Sequence, residues 1–283
     1  MKFDIVCIDI DGTLLGEKHR YSERTKKAVN DCAKKGVHVV LTTGRLYNNA
    51  AYYSKKLGLK APIIATNGAV VANEAGEIVY KKTIPHEKCM EIANVLIREK
   101  VIFQYYSLKD IYCSSYPCYL GSKYIMTRQI SSGQYDINYK VTPSIKKIEN
   151  TIKEESEGIT KFIALSINPQ KISSLKEALK KIDDIEVYGS GERSVEINYK
   201  GVSKGNAIEF LSNINNVHRD RVMCIGDNEN DISMIKYAGL GVAMGNGIPY
   251  LKSIADEITD NNVEDGVAKA LEKYILDFSE EGK

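Results

Sequence analysis

Short runs that are almost wholly apolar constrain this chain most. FDIVCI (3–8), VHVVLT (37–42), PIIAT (62–66) and RVMCIG (221–226) lack the apolar–polar alternation of a half-exposed strand, so each reads as a strand buried on both faces. Ser22 is placed to cap a helix running to about Lys35, where Gly36 stops it. LYNNAAYYSKKLG (46–58) is again helical and ends at a glycine. The βαβαβ rhythm predicts a parallel sheet with helices on both faces. AVVANEAGEIVYKKT (69–83) reads as a hairpin around Glu74–Gly76.

The pattern changes after Pro85. Residues 86–99 read as helix, 101–119 as extended and tyrosine-rich, and 145–157 as helix. A strand at 161–167, a helix at 170–182 and closing strands at 185–190 and 193–199 complete an α+β unit of about 110 residues. Near Ser203 the first rhythm returns: helix 204–213, strand 221–226, helix 231–238, strand 241–244, a short helix at 249–254, strand 256–259 and a terminal helix at 263–276. The expected organisation is a core of residues 1–84 and 191–283 with residues 85–190 inserted into it. A chain of 283 residues is long enough for two such units.

A formal charge of +2, from 39 basic and 37 acidic side chains, advertises neither a nucleic-acid nor a membrane surface. No apolar run approaches the roughly 20 residues of a membrane span, and Asp4, Asp9 and Asp11 interrupt what would be a signal sequence. These features predict a cytoplasmic protein with its cysteines reduced; a monomer or weak homodimer is expected, though nothing in composition decides between them. The six cysteines include no CxxC pair, which argues against zinc, although Cys113 and Cys118 could pair under oxidation.

Four segments lie at the C-terminal ends of predicted parallel strands, the edge where open α/β sheets bind ligands. In DIDGTLL (9–15), two carboxylates leave a buried strand together, an expensive placement unless a cation or phosphate chemistry uses them. Asp9 can attack phosphorus, and Asp11 can protonate a leaving alcohol and then activate water. Magnesium prefers such oxygens, and manganese or cobalt could occupy the same ligands. TTGR (42–45) brings a hydroxyl and backbone N–H groups to a helix start, Lys204 offers a cation, and GDNEND (226–231) offers Asp227 and Asp231. Taken singly, these residues have blander readings. Asp227 and Asp231 could cap a helix, Thr43 could make a turn, and Lys204 could be a surface residue. Arg45 fits an ion pair within the core as well as it fits substrate.

At these residues the chain resembles the haloacid dehalogenase superfamily, specifically its Cof-like branch with a class IIB cap. DIDGTLL, TTGR, Lys204 and GDNEND match that family's four motifs, and Asn67–Ala69 and GVAMGNG (241–247) match further Cof-like signatures. The resemblance implies a doubly wound, Rossmann-like α/β core with an inserted α+β cap that selects substrate. It further implies a magnesium-dependent phosphatase of small phosphorylated metabolites, sugar phosphates foremost. Asp9 would be the nucleophile and Asp11 the acid/base. Thr43, Gly44, Lys204 and Asn230 would surround the phosphoryl group. Asp9, Asp227, Asp231 and the Asp11 backbone carbonyl would serve the metal, with Asp231 alternatively orienting Lys204. A phosphomutase using the same residues, or a catalytically idle sensor of a phosphorylated ligand, are the competing readings. Asn228 departs from the Gly or Ser usual in the family, and asparagine tolerates left-handed backbone angles. Eight of the 18 tyrosines lie between 101 and 140: Tyr105, Tyr106, Tyr112, Tyr116, Tyr119, Tyr124, Tyr135 and Tyr139. They suit half-buried strands better than a ligand-stacking wall.

Overall fold

The computed structural model describes residues 3–16, 19–129, 137–189 and 191–277. In chain order, the first unit opens with β1 (Ile5–Ile8), α1 (Glu23–Lys34), β2 (His38–Thr42), α2 (Tyr47–Leu57), β3 (Ile63–Ala65), β4 (Val70–Ala72) and β5 (Ile78–Lys81). The second unit carries α3 (His86–Arg98), β6 (Ile102–Tyr106), β7 (Asp110–Cys113), α4 (Tyr116–Gln129), β8 (Asn138–Val141), α5 (Ile145–Glu154), β9 (Lys161–Leu165), α6 (Pro169–Leu179), β10 (Ile185–Gly189) and β11 (Ser194–Tyr199). The chain then returns through α7 (Lys204–Ile214), β12 (Val222–Gly226), α8 (Ile232–Tyr237), β13 (Leu240–Ala243), α9 (Pro249–Ile254), β14 (Glu257–Ile258) and α10 (Gly266–Leu271).

The first unit comprises Met1–Arg45, Ala50–Tyr80 and Ser203–Lys283. Its eight-stranded sheet runs β14-β13-β12-β1-β2-β3-β4-β5 and is parallel from β14 to β3, before β4 turns antiparallel. β1 and β12 are buried at every position, as their unbroken apolar runs require. Ile5, Cys7, Val40 and Cys224 pack with Ile208, Leu211 and Met234 from α7 and α8. α1 and α10 pack against each other, and α1 also lies against β2. Each such fully buried aliphatic side chain stabilises the fold by about 1.5–3 kcal/mol relative to exposure. Ser22 caps α1 by accepting from the Thr25 amide at 3.0 Å, and Gly36 follows the helix at φ +85°.

The second unit comprises Leu46–Asn49 and Lys81–Val202. Its six-stranded sheet runs β10-β11-β9-β6-β7-β8, antiparallel except for the β7–β8 pair. One face buries Phe103, Tyr105, Phe162, Ala164, Val195 and Ile197 with residues of α3, α5 and α6. On the other, Tyr106, Ile111 and Cys113 pack with Cys118 of α4.

Two sequence expectations change here. The compact units divide at 80/81 and 202/203 instead of the expected 84/85 and 190/191, and the second shift places β11 with β9 and β10 in the second sheet. The segment expected to be extended through 119 turns helical at Tyr116. Ring stacking of Tyr105 with Tyr112 and Phe162, at 4.9 and 5.5 Å, belongs to the second unit's core. Tyr116 and Tyr124 are exposed on α4, and Tyr135 lies outside the described residues.

Candidate active site

Asp9 is the first residue beyond β1, and its amide donates to the Ile225 carbonyl of β12 at 3.1 Å. Asp227 follows β12, Thr43 follows β2, and Lys204 opens α7 behind its N-cap Ser203. The parallel order β12-β1-β2 therefore brings three of the four motifs to one sheet edge, and the start of α7 adds the fourth.

Lys204 is fully buried, and its Nζ donates to Asp9 Oδ1 and to Asp231 Oδ1, both at 2.6 Å. Burial alone would push its ammonium down. The carboxylates of Asp231 and Asp9 more than offset this and hold it well above the ordinary lysine range. Asp9 moves up, because burial disfavours its charge and Asp231 and Asp227 add repulsion that Lys204 only partly relieves. Burial and the Asp231 charge likewise push Asp227 up to about 7.

Asp231 has two tasks. One oxygen holds Lys204, and the other accepts the backbone N–H groups of Asp227 and Asn228, both at 2.9 Å. The capping and lysine-orienting readings thus hold together, and both oxygens are engaged. Asn228 is extended (φ −128°) and forms a capping box with Asp231, so its tolerance of left-handed angles goes unused.

Asp11 behaves differently from its neighbours. The Arg45 guanidinium grips both of its oxygens, with Nε donating to Oδ2 at 2.5 Å and an Nη to Oδ1. Burial raises its carboxyl, but Arg45 outweighs that and holds it below the usual carboxylate range. His19 Nδ1 stands 4.0 Å from the same carboxylate.

Thr43 is buried, and its hydroxyl oxygen accepts the Arg45 amide at 3.1 Å, which leaves its own proton free to donate. Gly44 sits between them in the turn. Asn230 donates to the Asn67 side chain at 3.1 Å, and Asn67 adopts φ +60°.

Supporting contacts surround these groups. The Thr13 hydroxyl donates to Asp227 Oδ1 at 2.7 Å, and the Asn246 amide donates to the Gly12 carbonyl at 2.8 Å. Gly12 sits at φ +82°, and a Cβ there would lie within 2.8 Å of Asp227 Cγ. Sequence reading gave Thr13 and Asn246 no roles of their own. Their signal was present, since each lies inside a segment already singled out for its neighbours.

Oxygens of Asp9, Asp227 and Asp231 lie within 4.8 Å of one another. When all three carboxyls are ionised, they and the one ammonium leave two net negative charges in a buried site, which is why burial and mutual repulsion push Asp9 and Asp227 toward the protonated form. A divalent cation neutralises that excess, and the all-oxygen donor set suits a hard ion. Asp11's carboxylate is not part of this trio.

A sequence model of haloacid dehalogenase-like hydrolases matches residues 6–271. The chain belongs to that family. It is similar to a 5-amino-6-(5-phospho-D-ribitylamino)uracil phosphatase, YcsE, of Bacillus subtilis, with 28% identity over 96% of each chain. It is also similar to a phosphoglycolate phosphatase of Methanobrevibacter smithii, with 29% identity over 98% of this chain and 100% of the relative. A solved haloacid dehalogenase-like hydrolase from B. subtilis superposes with a TM-score of 0.84 at 26% identity, covering 97% of this chain and 100% of that one. This haloacid dehalogenase-like hydrolase is a phosphatase of its superfamily, whose phosphatases generally use a divalent metal. Among the described residues, no helix is long and apolar enough to cross a membrane.

Proposed function

We propose that this phosphatase hydrolyses small phosphorylated metabolites, sugar phosphates foremost, with magnesium and through an aspartyl-phosphate on Asp9. The reading rests on the buried lysine bridging Asp9 and Asp231 beside Asp227. Lys204 fixes one oxygen of Asp9, so the other is presented at the strand end for in-line attack on phosphorus. The Thr43 hydroxyl and the Gly44 amide donate to the phosphoryl oxygens, and Asn230 lines the same edge. Asp9, Asp227 and the Asp11 carbonyl hold the magnesium, with Asp231 close by as the residue that orients Lys204. Bound there, the ion offsets the charge of the carboxylates and of the incoming phosphoryl group.

Asp11 carries the proton. In its protonated form it gives that proton to the departing alkoxide. As the carboxylate it then removes one from the water that hydrolyses the aspartyl-phosphate. Arg45 favours the carboxylate form, so proton donation requires that ion pair to loosen when substrate is bound. The second unit acts as the cap that excludes water and selects the leaving group. The relatives' substrates, a phosphorylated ribityl compound and phosphoglycolate, are small polyhydroxylated or carboxylated phosphomonoesters, which supports the same class here. The enzyme works in the cytoplasm as a monomer or weak homodimer.

Phosphate release from a panel of phosphorylated metabolites, with magnesium and with EDTA, tests the reading on wild type and Asp9→Asn. Magnesium-dependent release that vanishes in the variant is expected. A folded wild-type protein that releases no phosphate from any compound would overturn it.

A further inference from the structure

Cys113 ends β7 and Cys118 lies in the first turn of the 14-residue helix α4. Both side chains are buried in one small cluster with Leu46, Tyr106 and Ile111. Gln104, the register partner of Cys113 across β6 and β7, donates its amide to Cys113 Sγ at 3.7 Å. In the reduced state the Cys118 thiol donates to the Phe103 carbonyl at 3.7 Å, and its amide donates to Ser115 Oγ at 3.3 Å. The phosphoryl chemistry uses neither thiol.

The two sulfurs are electrostatically unequal. The neighbouring Cys113 thiol draws Cys118 down against the opposing effect of burial, and Cys113 is pushed up in turn. The helix N-terminus acts in the same direction on Cys118. Cys32 and Cys89, buried without a partner thiol, are pushed up to about 12. Cys118 is 5% exposed, whereas Cys32 and Cys89 are fully covered. A thiolate with a second thiol in contact is the arrangement that reacts with an oxidant and then resolves.

We propose that Cys113 and Cys118 form a reversible oxidation site for hydroperoxides, closing a disulfide inside the second unit. The Cys118 thiolate attacks one peroxide oxygen, the O–O bond breaks, and hydroxide leaves and takes up a proton as water. Cys118 is then a sulfenic acid. Cys113 sulfur attacks Cys118 sulfur, the S–O bond breaks, and the hydroxyl departs with the Cys113 proton as a second water. Two thiols and one hydrogen peroxide thus become one disulfide and two waters. A dithiol reductant restores both thiols.

The test treats the full chain with hydrogen peroxide, blocks remaining thiols by alkylation and maps the peptides by mass. The expected product joins the Cys113 and Cys118 peptides with the loss of two hydrogens. It should form at least roughly tenfold faster than any modification of Cys32 or Cys89. Cys113→Ser should trap Cys118 as a dimedone-reactive sulfenic acid, and Cys118→Ser should abolish both products. Circular dichroism matching the wild type confirms that each variant is folded. A disulfide elsewhere, oxidation of Cys118 without a disulfide in the wild type, or unchanged oxidation in Cys118→Ser would each overturn the proposal.

Discussion

At the scale of single residues, Asp11 and Lys204 separate chemistry from architecture. If Asp11 protonates the leaving group, its loss matters most where the leaving alkoxide is a strong base. Asp11→Asn is therefore expected to slow formation of the aspartyl-phosphate from an alkyl phosphate by about 10²–10⁴ and from p-nitrophenyl phosphate by far less, while slowing the shared hydrolysis step equally for both. Burst kinetics on both substrates reads the difference, and equal losses would remove Asp11 from the acid role. Lys204→Met probes a different quantity. It leaves Asp9 and Asp231 buried without their counter-charge, an arrangement that costs about 3–5 kcal/mol when one partner of a buried pair is removed. Denaturant unfolding in EDTA should show a loss of that size, and phosphatase activity should fall by at least about 10². An unchanged unfolding midpoint would mean that the pair contributes no net stability.

At the scale of elements, Gly12 links the nucleophile strand to the metal site. It combines φ +82° with a Cβ direction that runs into the Asp227 carboxylate. Gly12→Ala is expected to destabilise the protein by about 1–3 kcal/mol and to raise the magnesium concentration needed for half-maximal activity. Retained wild-type magnesium dependence would show that the loop adapts without disturbing Asp227. The same scale explains what the sequence made readable. The core strands were legible because strands buried on both faces must be apolar throughout, and the motifs were legible because they sit where those strands end. α4 was not, since Tyr116, Leu120 and Tyr124 form an exposed stripe while Cys118 is buried on another side, so apolar residues ring the helix and no one face sets its period. β8 escaped as well, being a four-residue strand with no buried position. Within the site, residue types and order were readable, but contacts were not. Nothing in the sequence says that Arg45 reaches back 34 residues to hold both oxygens of Asp11, or that Asp231 caps a helix and holds Lys204 at once.

At the scale of the whole molecule, the excess negative charge at the sheet edge links stability to pH and to metal. Asp227 has its pKa raised from 3.8 to about 7 in the fold. A carboxyl with a raised folded pKa favours folding when protonated. Its contribution is complete below the unfolded pKa and is lost as pH rises through the folded one, here between about 4 and 7. Without metal, this group alone makes the protein less stable above pH 7 than near pH 4, by about 4 kcal/mol at most. A divalent cation takes the proton's place, stabilising the ionised carboxylate and adding the binding free energy that favours the native state. Magnesium should therefore raise the unfolding temperature more at pH 8 than at pH 5.5, because at the lower pH it must displace a proton. Thermal unfolding at both values, with EDTA and with saturating magnesium, measures the difference. A magnesium-induced rise equal at the two pH values would mean that Asp227 is already ionised in the metal-free fold, with Lys204 and Thr13 sufficient to hold its charge.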